Sequence, residues 1–368
     1  MIKILFFIEK FGGGGAEKVL RDLVNHMDQT KFDITVQSVW PYAEGKNLTP
    51  GVKYKSVYPV KNKLTEKLYR AEAAAKLTYP IRIKDDYDIE CAFLESGPTK
   101  IIAASTNQKS KKLAWVHCDL SHAIEDFVAY EAKTRAWYQA YDCVICVSQN
   151  AKEAFDNIFH SAFPTVVLHN VVEDSVIRSR AEEKIPVIKK RRLTMIAVGT
   201  MYPPKNYLRL LKTHQRLLEE GLEHDLWILG DGNQRNQVEQ YIKENNLKDS
   251  VTLFGFQSNP YPFMKAADLV VCSSNYEGFS TVITESTILG KAIVTTDCSG
   301  MREILGDSEC GLITENDDEA FLAGVREMLS NQQLRENYSQ HSAERGKCFS
   351  MEKLVFQAED YFRKVVNK

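Results

Sequence analysis

Short apolar runs alternate with longer segments of helical period along the whole chain. In the first half, runs typical of buried strands stand at 2–8, 32–40, 89–95, 112–117, 143–148 and 165–170. In the second half a new series stands at 193–200, 225–232, 250–256, 268–274 and 291–296. Amphipathic segments such as 16–27 and 149–159 separate the runs. This alternation predicts βαβ units, whose strands form parallel sheets.

A charged stretch with one proline separates the two series. Residues 173–192 read EDSVIRSRAEEKIPVIKKRR, which is typical of an exposed connection between domains. A chain of 368 residues is also longer than one ordinary core requires. We therefore predict an N-terminal domain over 1–174, a linker over 175–189 and a C-terminal domain over 190–352. We interpret the two as doubly wound α/β domains that face a cleft.

Charge and hydropathy narrow the class of protein. The formal net charge is −2 at pH 7, so the chain as a whole is not a binder of polyanions. The N-terminus, MIKILFFIEK, has an apolar run too short for a signal peptide. No later apolar stretch reaches the length of about 18 residues that a transmembrane helix needs. We therefore expect a soluble, cytoplasmic protein.

The eight cysteines fit a reducing compartment, since they are scattered through apolar segments. One CxxC pair, Cys143 and Cys146, lies in a run that predicts a strand. Residues i and i+3 of a strand point to opposite faces, so these two cannot hold a metal together. We expect buried thiols.

A glycine-rich segment, FGGGGAEKVL, follows the first predicted strand. It fails as a dinucleotide fingerprint, because Glu17 stands where the last glycine belongs. The second strand also ends in Ser38-Val39-Trp40, without an acid for a ribose hydroxyl. No GK[ST] follows, which excludes a Walker A loop. A loop that a ligand approaches closely, or a flexible turn, remains.

Three loops of the second half follow predicted strands. GTMYPPKN places Lys205 at the carboxyl edge of a parallel sheet, where an ammonium group can reach a phosphate. A tight turn at 230–232 follows the next strand. In EGFST, the backbone of Gly278 and Phe279 can present N–H groups, and Ser280 or Thr281 can cap a helix. Such a helix start is a good anion site.

Two carboxylates flank that helix start, Glu277 and Glu285. A bound phosphate would repel both, so neither is expected to contact it. Carboxylates are suited to accepting hydrogen bonds from hydroxyl groups, which sugars and riboses offer. One phosphate site between two hydroxyl-binding carboxylates predicts a nucleotide-sugar site.

These motifs, taken in order, resemble the retaining GT-B glycosyltransferases of glycosyltransferase family 4. The resemblance covers almost the full length, and its last motif holds the two glutamates in the family's E-x7-E spacing. The matching segments are GGAEKVL, His117 after the fourth strand, VSQNAKEAF, LHN, VGTMYPPKNYLRLL, ILGDGNQR, LFGF and EGFSTVITESTILGKAIV. The resemblance implies two Rossmann-like domains, with a C-terminal helix at about 353–368 that crosses back to the N-terminal domain.

The resemblance also implies how the leaving group is held. Lys205 would neutralise the donor diphosphate, together with the backbone amides of Phe279, Ser280 and Thr281. These groups would stabilise the negative charge that develops on the leaving phosphate.

Other matching positions would contact the rest of the donor. Glu277 would hold hydroxyls of the transferred sugar, Glu285 would hold the ribose diol, and His117 would approach the transferred sugar. Lys205, Glu277 and His117 are thus the catalytic candidates. The remaining donor-binding candidates are Gly14 and Gly15 near the diphosphate and acceptor, Phe256 near the base, and the loop glycines Gly230 and Gly278.

One position departs from the family pattern. Relatives usually carry an arginine after Gly199 that contacts phosphate beside the lysine, whereas this chain has Thr200. A leaving diphosphate with one cation fewer is less stabilised unless another basic residue substitutes. Lys10 and Arg302 are the candidates.

The activity implied is transfer of a hexose or N-acetylhexosamine, with retained configuration, from a nucleotide sugar to an acceptor hydroxyl. The family favours UDP over GDP, needs no metal or other cofactor, and often uses lipid-linked saccharides in surface polysaccharide assembly. Two alternatives stay open: a GT-B-like nucleotide-sugar epimerase and a nucleotide-sugar sensor without turnover.

Several polar residues can also be interpreted without a catalytic or metal-binding role. His117 can be an ordinary histidine at a strand end, and Asp119 and His122 are nearby alternatives without a family match. Asp86 and Asp88 form a DxD, but they precede a predicted strand within KDDYD, which favours a solvated turn.

The region from Lys53 to Lys84 holds nine lysines and arginines against two glutamates, with four tyrosines interleaved. A solvated pair of helices is one interpretation. Docking on anionic lipid, which would make the protein peripheral at the inner membrane face, is the other. No nucleic-acid-binding fold is recognised, so nucleic acid is not an expected partner.

Overall fold

The structure is a computed structural model that describes residues 1–12, 14–184 and 192–367, apart from the side chain of Glu44. The chain divides into two compact units. The first combines Met1–Val172 with Met351–Lys368, and the second is Glu173–Ser350.

In the described residues, the first unit holds one parallel sheet of seven strands. They are β1 (Ile2–Ile8), β2 (Phe32–Ser38), β3 (Lys53–Ser56), β4 (Ile89–Ala92), β5 (Lys111–Val116), β6 (Cys143–Cys146) and β7 (Thr165–Val167). Their spatial order is β3-β2-β1-β4-β5-β6-β7. The connecting helices are α1 (Gly15–His26), α2 (Lys63–Ala74), α3 (Thr78–Arg82), α4 (Gly97–Ile102), α5 (Leu120–Ala123), α6 (Phe127–Tyr138) and α7 (Gln149–Ile158).

The described part of the second unit holds a parallel sheet of six strands. They are β8 (Leu193–Val198), β9 (His224–Leu229), β10 (Val251–Gly255), β11 (Leu269–Cys272), β12 (Ala292–Thr296) and β13 (Leu312–Thr314), in the order β10-β9-β8-β11-β12-β13. The helices are α8 (Asp174–Arg180), α9 (Tyr207–Glu219), α10 (Arg235–Glu244), α11 (Tyr261–Ala266), α12 (Thr281–Ile288), α13 (Met301–Leu305), α14 (Asp318–Ser330) and α15 (Gln332–Gly346).

The predicted fold class is confirmed: both units are parallel sheets flanked by helices, and every predicted strand run overlaps an observed strand. The strands that the pattern missed are β3 and β13, each at the outer edge of its sheet. The alternate exposure of β3, with sequence KYKS, and the three-residue length of β13 explain why neither stands out as an apolar run. The basic region therefore begins with an edge strand before its two helices.

Each sheet reverses its strand order once, and this fixes where a ligand is expected. In the first sheet β1 lies between β2 and β4, and in the second β8 lies between β9 and β11. Ligands of doubly wound sheets bind beyond the carboxyl ends of the strands at such a switch point. In the second unit, the loops there are 199–206 and 273–280.

The last helix, α16 (Met351–Val366), belongs to the first unit, as the resemblance implied. Phe362 packs its ring 5.9 Å from that of Phe6 and 6.5 Å from that of Phe32. The Asp28 N–H donates to Glu359 Oε1 at 2.6 Å. A buried apolar stripe and one buried hydrogen bond thus fasten the end of the chain to the first sheet.

The stretch predicted as a linker contains α8, which packs within the second unit. An Arg180 amino group donates to the Ser258 carbonyl at 3.0 Å, and Asn259 Nδ2 donates to the Arg180 carbonyl at 3.0 Å. The part of the predicted linker at 185–189 lies outside the described residues.

Two sequence interpretations away from the site are confirmed. Cys143 and Cys146 are buried thiols within β6 and form no disulfide. The DxD lies in a bend before β4, where Asp86 and Asp88 are exposed and Asp88 accepts a hydrogen bond from the Lys3 N–H at 2.8 Å.

Candidate active site

The loops that follow β8 and β9 touch at the carboxyl edge of the second sheet. A Cβ on Gly230 would lie 1.8 Å from the Gly199 carbonyl oxygen, and Gly230 has φ of +135°. Glycine is therefore required at position 230 by both close approach and backbone conformation. The loop after β8 also ends in a single 3₁₀ turn, Pro203–Lys205, which aims Lys205 across the sheet edge toward the loop after β11.

Lys205 and Glu277 form a direct ion pair at this edge. The Lys205 ammonium lies 2.5 Å from Glu277 Oε1, and Ser274 Oγ donates to the same oxygen at 2.7 Å. Burial acts to lower the pKa of Lys205, but the Glu277 carboxylate outweighs it, and the pKa is raised. Lys205 is thus held protonated beside its partner. The pair lines a shallow pocket that Ser280 also borders.

The N-terminus of α12 opens next to this pair. Ser280 is the N-cap residue, and its hydroxyl oxygen accepts from the Ile283 N–H at 3.5 Å. Of the two capping candidates, the structure selects Ser280, and Thr281 begins the helix. Phe279 is buried against Phe349, with ring centroids 6.3 Å apart, which anchors the loop that carries Gly278. First-turn N–H groups and the helix dipole favour an anion at this end.

Glu285 lies one turn further along α12 and is buried. Its side chain accepts a hydrogen bond from the Tyr261 hydroxyl at 3.2 Å, and the residue is 4% exposed. A ribose can reach this carboxylate only alongside Tyr261 or in its place. No motif in the sequence pointed to Tyr261, which belongs to α11.

The loop after β10, the strand at the outer edge of the second sheet, carries the residue predicted to contact the nucleotide base. Phe256, directly after β10, is 70% exposed, so its ring is available to a ligand. Arg235 lies beside it, since a Cβ on Gly255 would be 3.5 Å from the guanidinium. Arg235 is ion-paired with Asp231 at 3.0 Å and with Glu239 at 2.7 Å.

Of the two candidates for the missing cation, Arg302 is engaged by other side chains of the second unit. Arg302 is held by two carboxylates, Asp297 at 2.6 Å and Asp307 at 3.0 Å. Lys10 belongs to the first unit. Thr200 is exposed on the loop after β8.

The glycine-rich loop of the first unit leads into α1, with Gly14 as the N-cap residue and Gly15 as the first helical residue. Gly13 lies outside the described residues. The Glu17 side chain folds back over the loop, because a Cβ on Gly14 would lie 2.1 Å from Glu17 Oε2. Burial raises the pKa of Glu17. A carboxyl group thus stands beside the loop that the resemblance implied a diphosphate would approach.

His117 follows β5 in an aromatic setting. Its ring centroid lies 4.6 Å from that of Phe93 and 5.9 Å from that of Trp115, whose plane is nearly parallel. Its Nε2 is buried and has no hydrogen-bond partner among the described residues. Burial lowers the pKa of His117 to about 3, so the imidazole is neutral.

Glu95 holds the loop that carries His117. Its Oε1 accepts from the backbone N–H of His117 and, at 3.1 Å, from that of Cys118. The predicted strand run 89–95 includes Glu95, but β4 ends at Ala92. The available signal for Glu95 was its place as a polar residue just beyond a parallel strand. Of the two alternatives to His117, Asp119 caps α5 through the Ser121 N–H at 2.9 Å, and His122 is exposed.

None of the described helices combines the length and the apolar character that crossing a bilayer requires. In the same part of the chain, no three His, Cys, Asp or Glu side chains group in a way that could hold a metal ion.

Comparison with known sequences links this chain to sugar transfer. Residues 179–345 match the family model for glycosyl transferases group 1. Over 214 residues the chain is 33% identical to N-acetylgalactosamine-N,N'-diacetylbacillosaminyl-diphospho-undecaprenol 4-alpha-N-acetylgalactosaminyltransferase of Campylobacter jejuni, a match that covers 58% of this chain and 57% of that enzyme. The chain thus spans little more than half the length of that relative. It is also 24% identical to the amylovoran biosynthesis glycosyltransferase AmsD of Erwinia amylovora, over 92% of this chain and 93% of that protein.

Solved structures share the fold. The structure of HepE from Anabaena in complex with UDP and glucose superposes with a TM-score of 0.77 at 18% identity, covering 99% of this chain and 100% of that one. At this identity the likeness concerns the fold alone, which is the GT-B arrangement of two Rossmann-like domains. The match to the family model for glycosyl transferases group 1 falls in the second unit of this chain.

Proposed function

We propose that this protein transfers a hexose or N-acetylhexosamine from a nucleotide sugar, with UDP favoured over GDP, to a hydroxyl of a lipid-linked saccharide. The observation that carries the proposal is the convergence of Lys205, Glu277 and the capped start of α12 at the switch point of the second sheet. The Campylobacter relative is named for a diphospho-undecaprenol substrate, and AmsD for amylovoran biosynthesis, which supports an acceptor of this kind. The UDP in the HepE complex supports the choice of nucleotide.

In this proposal Lys205 and Glu277 separate when the donor binds, and each takes a group of the donor as its new partner. Without donor, Lys205 and Glu277 neutralise each other, which lowers the cost of holding both charges out of water. The diphosphate would draw the ammonium group toward itself and toward the first turn of α12. Glu277 would then be released to accept hydrogen bonds from sugar hydroxyls. The exchange couples diphosphate binding to sugar orientation.

Transfer would proceed through charge stabilisation rather than a protein nucleophile. Lys205 and α12 would stabilise the charge on the departing diphosphate without a metal ion. The acceptor hydroxyl would attack from the face that the diphosphate leaves, so the anomeric configuration would be retained. His117, being neutral, would hydrogen-bond to the sugar or acceptor rather than carry a proton. Gly14 and Gly15 would allow close approach from the first unit.

A panel of UDP- and GDP-sugars, incubated with and without polyprenyl-diphosphate saccharides and with EDTA throughout, tests the proposal. Release of nucleoside diphosphate that depends on acceptor, with a product in the same anomeric configuration as the donor, is the expected result. A changed sugar on intact donor would indicate an epimerase instead. Donor binding without any turnover would indicate a sensor. Activity only after metal is restored would overturn the metal-independent mechanism.

A further inference from the structure

Exposed apolar side chains concentrate on one part of the first unit. Of the twelve large hydrophobic residues that are exposed in the described chain, five fall between positions 60 and 81. Leu64 is 75% exposed and Leu68 is 41% exposed, one turn apart on α2. The other three are Val60, Leu77 and Ile81. We call the surface formed by these five residues and their neighbouring cations the α2–α3 surface.

Other side chains of α2 hold the helix against the rest of the first unit, so this exposure is a property of the folded helix. Glu72 is buried, accepts from the Tyr58 hydroxyl at 2.7 Å and pairs with Arg82 at 2.6 Å. Tyr69 packs edge-on against Trp40 at 5.3 Å. A capping box formed by Asn62 and Thr65 fixes the helix start. With its inner side anchored in this way, α2 keeps its leucines pointing to solvent.

Cations flank the exposed leucines. Lys63, Lys67 and Arg70 are exposed on α2, and Lys76 follows the helix. Within the part of the chain that the structure describes, none of these four lies within ion-pair distance of a carboxylate. Other basic residues of the region are paired internally, such as Lys53 with Asp33 and Lys55 with Asp85. The α2–α3 surface therefore presents net positive charge next to apolar side chains.

We propose that the α2–α3 surface docks on an anionic lipid bilayer, with α2 lying in the interface plane. The leucines would enter the boundary between headgroups and acyl chains, and the lysines and arginine would contact lipid phosphates. The pairing of solvent-facing leucines with unpaired cations on one rigid helix favours a bilayer over a protein groove, which would need a defined apolar shape. Binding to nucleic acid would need the cations but not the leucines, so the exposed leucines favour a bilayer over nucleic acid as the partner. The inference does not depend on the proposed transfer reaction.

Flotation of the full-length protein with vesicles tests the role of charge. Wild type should float with phosphatidylcholine vesicles that contain phosphatidylglycerol and stay behind with phosphatidylcholine alone. Lys63→Glu with Lys67→Glu should weaken vesicle partitioning about 20-fold or more, since each basic residue near the surface is worth about fivefold. The matched control is Lys243→Glu with Lys248→Glu, which changes the net charge equally at exposed positions of the second unit. Equal loss in both pairs, or no flotation of wild type, would overturn the proposal.

The apolar contribution is tested separately. Leu64→Ser with Leu68→Ser should weaken partitioning about tenfold or more through lost apolar burial, whereas Phe356→Ser, at an exposed position of α16, should not. Circular dichroism of each variant checks that the fold is kept. If the leucine variant partitions like wild type, or if the lysine variant instead loses affinity for a duplex oligonucleotide, bilayer insertion is refuted. Because no nucleotide sugar is present, failure here is distinct from failure of the transfer reaction.

Discussion

The ammonium group of Lys205 lies 2.5 Å from Glu277 Oε1, across two loops that are 72 residues apart in the chain. The sequence assigned these residues to different parts of one donor, the diphosphate and the sugar. Their contact means that neither can be altered without changing the charge environment of the other. It also makes the exchange of partners on donor binding open to test.

Replacing Lys205 should have two effects: weaker nucleotide binding and a lower free energy of unfolding. Lys205→Ala is expected to lower UDP affinity about tenfold to a hundredfold, the worth of one charge-assisted hydrogen bond. It also leaves Glu277 without its cation, which we expect to cost roughly 1–3 kcal/mol in the free energy of unfolding. Calorimetry and urea unfolding measure the two effects, with exposed Lys212→Ala as the control.

The double variant Lys205→Ala with Glu277→Gln separates the two effects. Stability should recover relative to Lys205→Ala alone, because no unpaired carboxylate remains. UDP affinity should stay low, because the cation is still absent. Unchanged UDP and GDP binding in Lys205→Ala would refute the role of the lysine in holding diphosphate.

We predict that the two glutamates bind different parts of the donor, Glu285 the ribose and Glu277 the transferred sugar. Glu285→Ala should weaken binding of free UDP, because the ribose contacts are lost. Glu277→Ala should reduce turnover with the preferred sugar more than it reduces binding of free UDP, because that nucleotide lacks the sugar. Titration calorimetry with UDP and steady-state kinetics with UDP-sugars make the comparison. An equal loss of free-UDP affinity in the two variants would contradict this division.

His117 should not contribute a titration to the rate. Its pKa is lowered to about 3 by burial, so the imidazole stays neutral between about pH 5 and pH 8. The ratio of kcat/KM between wild type and His117→Asn should therefore be constant over that range. A ratio that changes with a midpoint near the ordinary histidine pKa of about 6.5 would show that His117 is protonated during the reaction.

A buried histidine pair predicts how stability depends on pH. His214 Nδ1 lies 2.8 Å from His224 Nε2, and His214 Nε2 lies 2.9 Å from Ser250 Oγ. Burial, and then His224, lowers the pKa of His214 to about 3. A folded pKa below the unfolded value of about 6.5 means that the unfolded state binds protons first. The free energy of unfolding therefore has its full value, as far as these histidines are concerned, above about pH 6.5. It decreases as the pH falls toward 3, by up to about 1.4 kcal/mol per pH unit for each histidine.

Urea unfolding at about pH 7.5 and pH 5.5 measures this dependence. His214→Gln should flatten the change in the free energy of unfolding between the two values, even if it lowers stability at both. His160→Gln, at an exposed position, should keep the wild-type slope. A wild-type slope retained in His214→Gln would assign the acid sensitivity to other groups.

The sequence by itself determined the architecture and predicted which loops meet at the edge of the second sheet. Buried parallel strands are runs of neighbouring apolar residues, so the core of each sheet is visible in local pattern. Edge strands such as β3 and β13 are not, because one side has no neighbour and the strands are short or polar. Ser280, Glu277 and Lys205 stand just beyond such runs, and residues in that position share the carboxyl edge of a parallel sheet.

Only the tertiary structure decided which of these residues touch. The strand order puts the loop after β8 beside the loop after β11, and that non-local adjacency creates the Lys205–Glu277 pair. In the first sheet, the pairing of β4 with β5 brings Glu95 to the backbone of His117. In the second unit, the packing of the helices places the Tyr261 hydroxyl against the buried Glu285. Local periodicity carries information about which face of an element is buried. Contacts between loops depend on the order in which strands pair, which no local pattern encodes.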